Sequence, residues 1–344
     1  MSKHRIVSMD GGSITGNGFV TAGLLQAMQL ALGDSASAAF LDHVALFAGT
    51  SAGAFNAAFL ARWEHPSESL PQIQEFWTAI TNAESPKNGI SLCRLAQAIA
   101  GKAAFIATGT LHSYFQDYFG TMRLGDLKQR VAIASFQLDS GNPKLRTWKP
   151  KIFNNYPGDP DCDEKVADVV MRSGSPPLIN PVYQGYVDGG VVSNNPSMIA
   201  LAEVLFRHKA GPTQTIPEVL MLSIGNATVP KYLETPPGET FTDWGYQKWL
   251  LDPQNRLALV TMFMESSTLA VNYECARLLD DAFFRIDPYL SKPLDVANGS
   301  QVVPAVQKVL VDPVTQKEIT AAVEWLHSSG WIAPTGSYTK KQPE

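Results

Sequence analysis

Two short patterns hold residues able to do chemistry together: Gly49-Thr50-Ser51-Ala52-Gly53 and, far downstream, Asp188-Gly189-Gly190. A serine hydroxyl is a weak nucleophile at neutral pH and needs a base beside it, a role that a carboxylate or an imidazole fills. Glycines at 49 and 53 let the chain turn sharply between a strand and a helix. Ser51 is then presented at the helix N-terminus, where unpaired N–H groups favour negative charge. Gly-x-Ser-x-Gly arises by chance in roughly one chain in ten of this length, taking about 7% for each residue type. Its setting therefore decides. Residues 44–48 read as a buried strand and the Ala-rich run up to residue 62 as a helix, which favours catalysis by Ser51 over a structural turn.

A third pattern, Asp10-Gly11-Gly12-Ser13, follows a short buried strand at 6–10 and leads into an apolar helix at about 19–32. Glycine-rich turns before helices expose N–H groups to any anion, so an oxyanion hole, a phosphate cradle and a plain turn are all open. A phosphate loop would end in Gly-Lys-Ser/Thr, yet neither Lys nor Arg occurs between Arg5 and Arg62. A dinucleotide fold would place an acidic residue at the end of the second strand, where this chain has Ser51. The favoured reading is an oxyanion hole built from the N–H groups of Gly11, Gly12 and Ser13.

The order of residues separates the candidate bases. In an α/β-hydrolase several strands precede the serine, and an acid and then a histidine follow it. Only about two strands fit before Ser51. The downstream histidines are His65, His112, His208 and His327, and the last two fall near expected helix C-termini, where a cation simply complements the dipole. Asp188 instead ends a short strand, and Gly189 and Gly190 after it allow close approach of backbone or substrate. A turn-forming acid is the bland alternative. Ser51 with Asp188 is the favoured pair. An α/β-hydrolase-type esterase using a His, and a non-catalytic lipid- or nucleotide-binding module, remain as competing readings.

The elements that position these residues alternate between strands and helices. Residues 66–127 are helical in pattern, with amphipathic pieces near 70–80, 91–100 and 111–119. A strand follows at 131–136, with 145–153 as its hairpin partner. Helices are expected at 164–172, from Pro196 to about 208, at 255–280 and at 314–327, and strands at 219–225 and 283–287. This alternation implies an α/β three-layer sandwich with a mainly parallel central sheet. Residues 1–330 are expected to form a single domain with a helical insertion at about 66–128, and 331–344 a tail. The low-charge stretch 95–108 and the aromatic set Trp244, Tyr246 and Trp249 read as ordinary core ahead of an acyl groove or interfacial surface.

Charged residues make up 17% of the 344-residue chain, against roughly 25% in an average soluble domain, and the net charge is -5. Without clustered Lys and Arg, a nucleic-acid partner is not expected. Cys93, Cys162 and Cys275 are scattered, with no zinc-like spacing, and read as unpaired core thiols in a reducing compartment. No cofactor or metal is expected. The N-terminus passes from Met1-Ser2-Lys3-His4-Arg5 straight into a strand, without the apolar run of a cleavable signal. No stretch approaches about 18 uninterrupted apolar residues. A cytoplasmic protein is expected, with any membrane contact peripheral.

In order and spacing, Asp10-Gly11-Gly12, Gly49-Thr50-Ser51-Ala52-Gly53 and Asp188-Gly189-Gly190 resemble the patatin-like phospholipases. Arg172-Ser173-Gly174-Ser175-Pro176-Pro177, Asn194-Asn195-Pro196, Leu222-Ser223-Ile224-Gly225-Asn226 and, more weakly, Phe284-Arg285-Ile286 and Leu294-Asp295 extend the likeness to roughly residues 5–295. The resemblance implies an acyl hydrolase acting on lipid esters through a Ser-Asp dyad and an acyl-serine, without a catalytic histidine. Where the family usually carries a third glycine and then Arg or Lys in its first loop, this chain has Ser13 and Thr15. Phospholipid specificity is thereby less strongly implied than ester hydrolysis.

Overall fold

A computed structural model describes residues 3–12, 17–33, 39–84, 92–206, 215–255, 258–292, 294 and 299–332. Its strands are β1 (His4–Met9), β2 (Val44–Thr50), β3 (Val131–Gln137), β4 (Lys149–Asn154), β5 (Tyr186–Asp188), β6 (Val219–Ile224) and β7 (Phe283–Ile286). The helices are α1 (Asn17–Leu32), α2 (Ala52–Ala61), α3 (Pro66–Ser69), α4 (Ile73–Glu84), α5 (Leu92–Ile99), α6 (Gly109–Phe119), α7 (Val166–Ser173), α8 (Ser197–Leu205), α9 (Tyr246–Leu251), α10 (Ala258–Leu279), α11 (Gly299–Leu310) and α12 (Pro313–Ser328).

Strands buried on both faces read as near-continuous apolar runs, as Val-Leu-Met-Leu-Ser-Ile of β6 does. Side chains alternate between the faces. Val7, Phe47, Leu220 and Leu222 enter one core with α1, α2, α4, α6, α7, α11 and α12. Ile6, Leu46, Val219 and Met221 enter the other, with Leu201 of α8 and Val271 and Cys275 of α10. The result is helices, sheet, helices. The sheet runs β4-β3-β2-β1-β6-β7, and β1 pairs in parallel with both β2 and β6.

The position of β5 matters most. One edge of β3 is taken by β4, antiparallel, from Ala132 to Gln137. The other edge pairs with β2 from Val131 to Ala134 and then, antiparallel, with β5 from Ser135 to Gln137. β5 thus occupies the column that β2 has just vacated, running back towards it. Two strands meeting end to end in one column bring the residue after β2, Ser51, against the last residue of β5, Asp188.

Helices 66–119 are continuous with the main core: Phe55 of α2 stacks on Phe115 of α6 at 4.8 Å, and Phe59 on Phe76 of α4 at 4.9 Å. Three features differ from the sequence reading. Helix α11 was not among the expected elements, although Val302, Val306 and Leu310 form a buried helical stripe around Pro304. The expected tail gives up its first two residues to the core, since Trp331 and Ile332 are buried and the Trp331 indole donates to the Phe40 carbonyl at 2.9 Å. The cysteines are free, but only Cys275 is a core residue; Cys162 is half-buried and Cys93 exposed.

Helix α2 crosses the sheet so closely that a Cβ on Gly53 would collide with the Met9 carbonyl oxygen of β1. Gly53→Ala is expected to cost about 3 kcal/mol or more in urea-unfolding measurements, because backbone on both sides must shift. At Gly109, the open start of α6, nothing meets an added Cβ. Gly109→Ala should instead gain about 0.5 kcal/mol by restricting the unfolded chain.

Candidate active site

Ser51 links β2 to α2 with φ 52 and ψ -121, a conformation that costs a non-glycine residue on the order of 1–3 kcal/mol. The surroundings hold it there. Its N–H donates to Ser173 Oγ at 2.8 Å, and Ser173 in turn donates to the Ala134 carbonyl at 2.6 Å. Ala54 N–H closes the turn onto the Ser51 carbonyl at 2.9 Å. The N–H groups of Ala52 and Gly53 find no acceptor among the described residues, so the positive end of α2 opens beside the serine.

Asp188 faces it. Ser51 Oγ donates to Asp188 Oδ2 at 2.7 Å, and Asp188 Oδ1 accepts from Gly190 N–H at 2.7 Å. The Asp188 N–H donates to the Ser175 carbonyl at 2.9 Å, tying Asp188 to the segment that holds Ser51. Gly189 permits the approach of β5 to β3, since a Cβ there would strike the Ala134 carbonyl oxygen. The carboxylate is almost completely buried, and burial pushes it up to about 6 against the two hydrogen bonds that favour its charged form.

The expected oxyanion loop needs correction. Gly11 N–H is already engaged, donating to the Asn194 carbonyl at 2.8 Å, while the Gly11 carbonyl accepts from Asn226 Nδ2. Gly12 N–H has no acceptor among the described residues. Ser13 and Thr15 lie outside the described residues. Gly11 therefore anchors the loop rather than offering a donor.

Beneath this loop is an ion pair that the sequence reading had not assigned. Arg285 of β7 grips Asp10 with both ends of its guanidinium, Nη2 to Oδ2 at 2.7 Å and Nη1 to Oδ1 at 3.2 Å. It also reaches Asp287 at 2.7 Å and Ser223 Oγ at 2.9 Å. Burial opposes the Arg285 cation, but Asp10 and Asp287 outweigh it and hold the guanidinium firmly protonated. Asp10, also buried, is pushed up to about 6 in spite of its partner. Asn194 links the loop onward to α10 through a 3.3 Å bond from its Nδ2 to Thr268 Oγ1. Arg285, Ser173, Asn194 and Asn226 all fall in stretches that carried the family resemblance, but their types and spacing alone assigned them no role.

The histidines are elsewhere. His65 Nδ1 lies 3.1 Å from Asp42, His112 Nε2 lies 2.8 Å from the Tyr183 hydroxyl, and His327 is exposed in the last turn of α12. His208 is outside the described residues. Among those described, no imidazole reaches Ser51. The aromatic set read as core is a correction: Trp244 and Trp249 pack edge to face at 5.4 Å but are only half-buried, and Tyr246 is exposed. Within 95–108, Phe105 is likewise exposed. Among the described residues no three His, Cys, Asp or Glu side chains gather to hold a metal ion, and no helix is long and apolar enough to cross a membrane.

A family model described as patatin-like phospholipase matches residues 7–201, more than half of the chain. The putative sporulation hydrolase CotR of Bacillus subtilis is 26% identical, covering 96% of this chain and 99% of its own. Protein teg of Priestia megaterium is 26% identical over 95% of this chain and 98% of its own. A cGAMP-activated phospholipase of Pseudomonas aeruginosa is 26% identical over 83% of this chain and 78% of its own.

Because Asp188 is pushed above the roughly 3.9 of an unfolded aspartate, the folded state binds its proton more tightly than the unfolded state does. The resulting stability is fully present below about pH 4 and lost as pH rises through about 6. Asp188→Asn fits the site, with its carbonyl accepting from Gly190 and its amide donating to Ser51. It should melt higher than the parent at pH 8, by about 1–3 kcal/mol of stability, and no higher at pH 4. Thermal melts at the two pH values check this.

Proposed function

Since the chain belongs to the patatin-like phospholipase family, we propose that it hydrolyses the acyl esters of lipids, with Ser51 as nucleophile and Asp188 as base. The observation that carries the reading is the 2.7 Å hydrogen bond from Ser51 Oγ to the buried Asp188 carboxylate. Asp188 accepts the serine proton as Oγ attacks the ester carbonyl, and returns it to the departing alcohol oxygen. Water, deprotonated by the same carboxylate, then cleaves the acyl-serine.

The developing oxyanion would be met by the Gly12 N–H and the open N-terminus of α2, neither of which has an acceptor among the described residues. Gly11, fixed on both sides, and Asp10, gripped by Arg285, keep the loop in place for this. Arg285 is committed to Asp10 and Asp287, which supports recognition of an ester carbonyl over a head-group phosphate at this loop. The chain acts as one hydrolase domain in this reading, supported by a core cluster running from Val7 to Ile332, two residues past the expected boundary at 330.

Ser51→Ala and Asp188→Asn are each expected to lower kcat/KM for a medium-chain nitrophenyl ester by about 10³ or more, in line with loss of a nucleophile or its base. His327→Ala should stay within about twofold of the parent. An active Asp188→Asn alongside a dead His327→Ala would sink the dyad.

The pH profile supplies an independent check. Only the deprotonated carboxylate can take the serine proton, so kcat/KM should rise with pH through about 6 and level off above it. A profile flat from pH 5 to pH 8 would exclude Asp188 as the base.

A further inference from the structure

Between Ser173, which holds Ser51, and Asp188, which faces it, the chain passes through residues 174–185 without a single charged side chain. Surface loops ordinarily turn polar groups to water and apolar groups inward. This one does the reverse. Asn180 is 3% exposed, whereas Leu178, Ile179 and Val182 are 59%, 43% and 53% exposed.

The reversal is held in place. Asn180 N–H donates to the Pro176 carbonyl at 2.9 Å, and its Nδ2 to the Gly174 carbonyl at 3.2 Å. The Tyr183 hydroxyl donates to Asp168 Oδ1 at 2.6 Å. The carbonyls of Leu178 and Ile179 accept from the N–H groups of Phe105 and Ile106 at 3.1 and 2.8 Å, which brings the exposed Phe105 alongside. Leu178 also takes φ 71, left-handed backbone in which a leucine Cβ crowds its own carbonyl. An exposed leucine in strained backbone adds nothing to the stability of the isolated chain, so its return must come from a contact outside it.

We propose that Phe105, Leu178, Ile179 and Val182 form a docking face for the surface of a lipid aggregate, seating the Ser51–Asp188 site against the layer that holds its substrate. The proposal rests on reading that pair as a lipid-ester dyad. Three features select this occupant. The face belongs to the segment that joins the two residues, beginning where Ser173 holds Ser51 N–H and the Ser175 carbonyl holds Asp188 N–H, three residues before Leu178. Residues 103–111 and 174–185 contain no charge to desolvate on entering a lipid surface. Long-chain acyl esters are presented to an enzyme at such a surface, where apolar side chains displace water from a large continuous area.

The test measures co-sedimentation of the full chain with vesicles of diether phosphatidylcholine, which contain no ester to hydrolyse. Leu178→Asn removes the apolar group and suits left-handed backbone better than leucine does, and Ile179→Ser probes the same face without a backbone argument. Each variant should bind vesicles about tenfold or more weakly, as expected for withdrawing one large aliphatic side chain from lipid. The melting temperature of Leu178→Asn should be unchanged or raised. Equal vesicle affinity in folded variants, or no vesicle binding by the parent, overturns the proposal. So does a dimer in sedimentation velocity that Leu178→Asn dissociates, since the face would then belong to a second copy. Binding is read here without turnover, so failure of the dyad appears only in the ester assays and stays distinct from failure of the docking face.

Discussion

A carboxylate taken out of water keeps its charge only where hydrogen bonds or a cation replace the lost hydration. Among the described residues, Asp188 receives two hydrogen bonds and no cation: one from the Ser51 hydroxyl and one from Gly190 N–H. This partial compensation underlies the rest of the site. It leaves a carboxylate with appreciable proton affinity, whose charge the serine hydroxyl helps to stabilise. Serine and aspartate are therefore coupled in both directions, and the backbone must deliver both with little freedom. The shared sheet column does so, with β2 ending at Thr50 and β5 arriving from the opposite direction along the same edge of β3.

The two buried acids of the site solve the same problem differently. Asp10 is paired in bidentate fashion with Arg285, a geometry that matches a planar guanidinium to a carboxylate and fixes orientation as well as charge. A second carboxylate, Asp287, shares the same guanidinium. Asp188 is stabilised instead by hydrogen bonds from Ser51 and Gly190, which only partly offset its burial. A guanidinium paired with Asp188 in the same way would lower its proton affinity. The ion pair fixes the start of the glycine loop through Asp10.

Much of this was legible in the sequence, for definite reasons. Buried parallel strands such as 219–224 announce themselves as unbroken apolar runs, and the glycines around Ser51 and Asp188 mark close approaches that their would-be Cβ collisions explain. What local pattern cannot carry is the pairing of distant segments. The column shared by β2 and β5 depends on β3, some eighty residues after one and fifty before the other, and no spacing rule encodes it. Arg285 was invisible as an anchor because its partner Asp10 lies 275 residues away. Gly11 was misread because a glycine chosen for closeness to Asn194 looks the same as one chosen to expose its N–H. The aromatic set at 244–249 misled for a related reason, since aromatic residues enrich cores and half-exposed surfaces alike.

The same crowding defines the surroundings of Asp188. β5 lies so close to β3 that Gly189 has no room for a Cβ beside the Ala134 carbonyl, and Met264 of α10 closes over Gly190. The one-methylene carboxylate of Asp188 spans the remaining gap to Ser51 at hydrogen-bond distance. Aspartate in water is too weak a base for a serine proton. In this column it is strengthened by burial, which raises the free energy of its charged form. Base strength here belongs to the packing around the residue as much as to the residue itself. The strained turn at Ser51 and the tight glycine contacts are what keep water away from a charge that would otherwise be too well solvated to act.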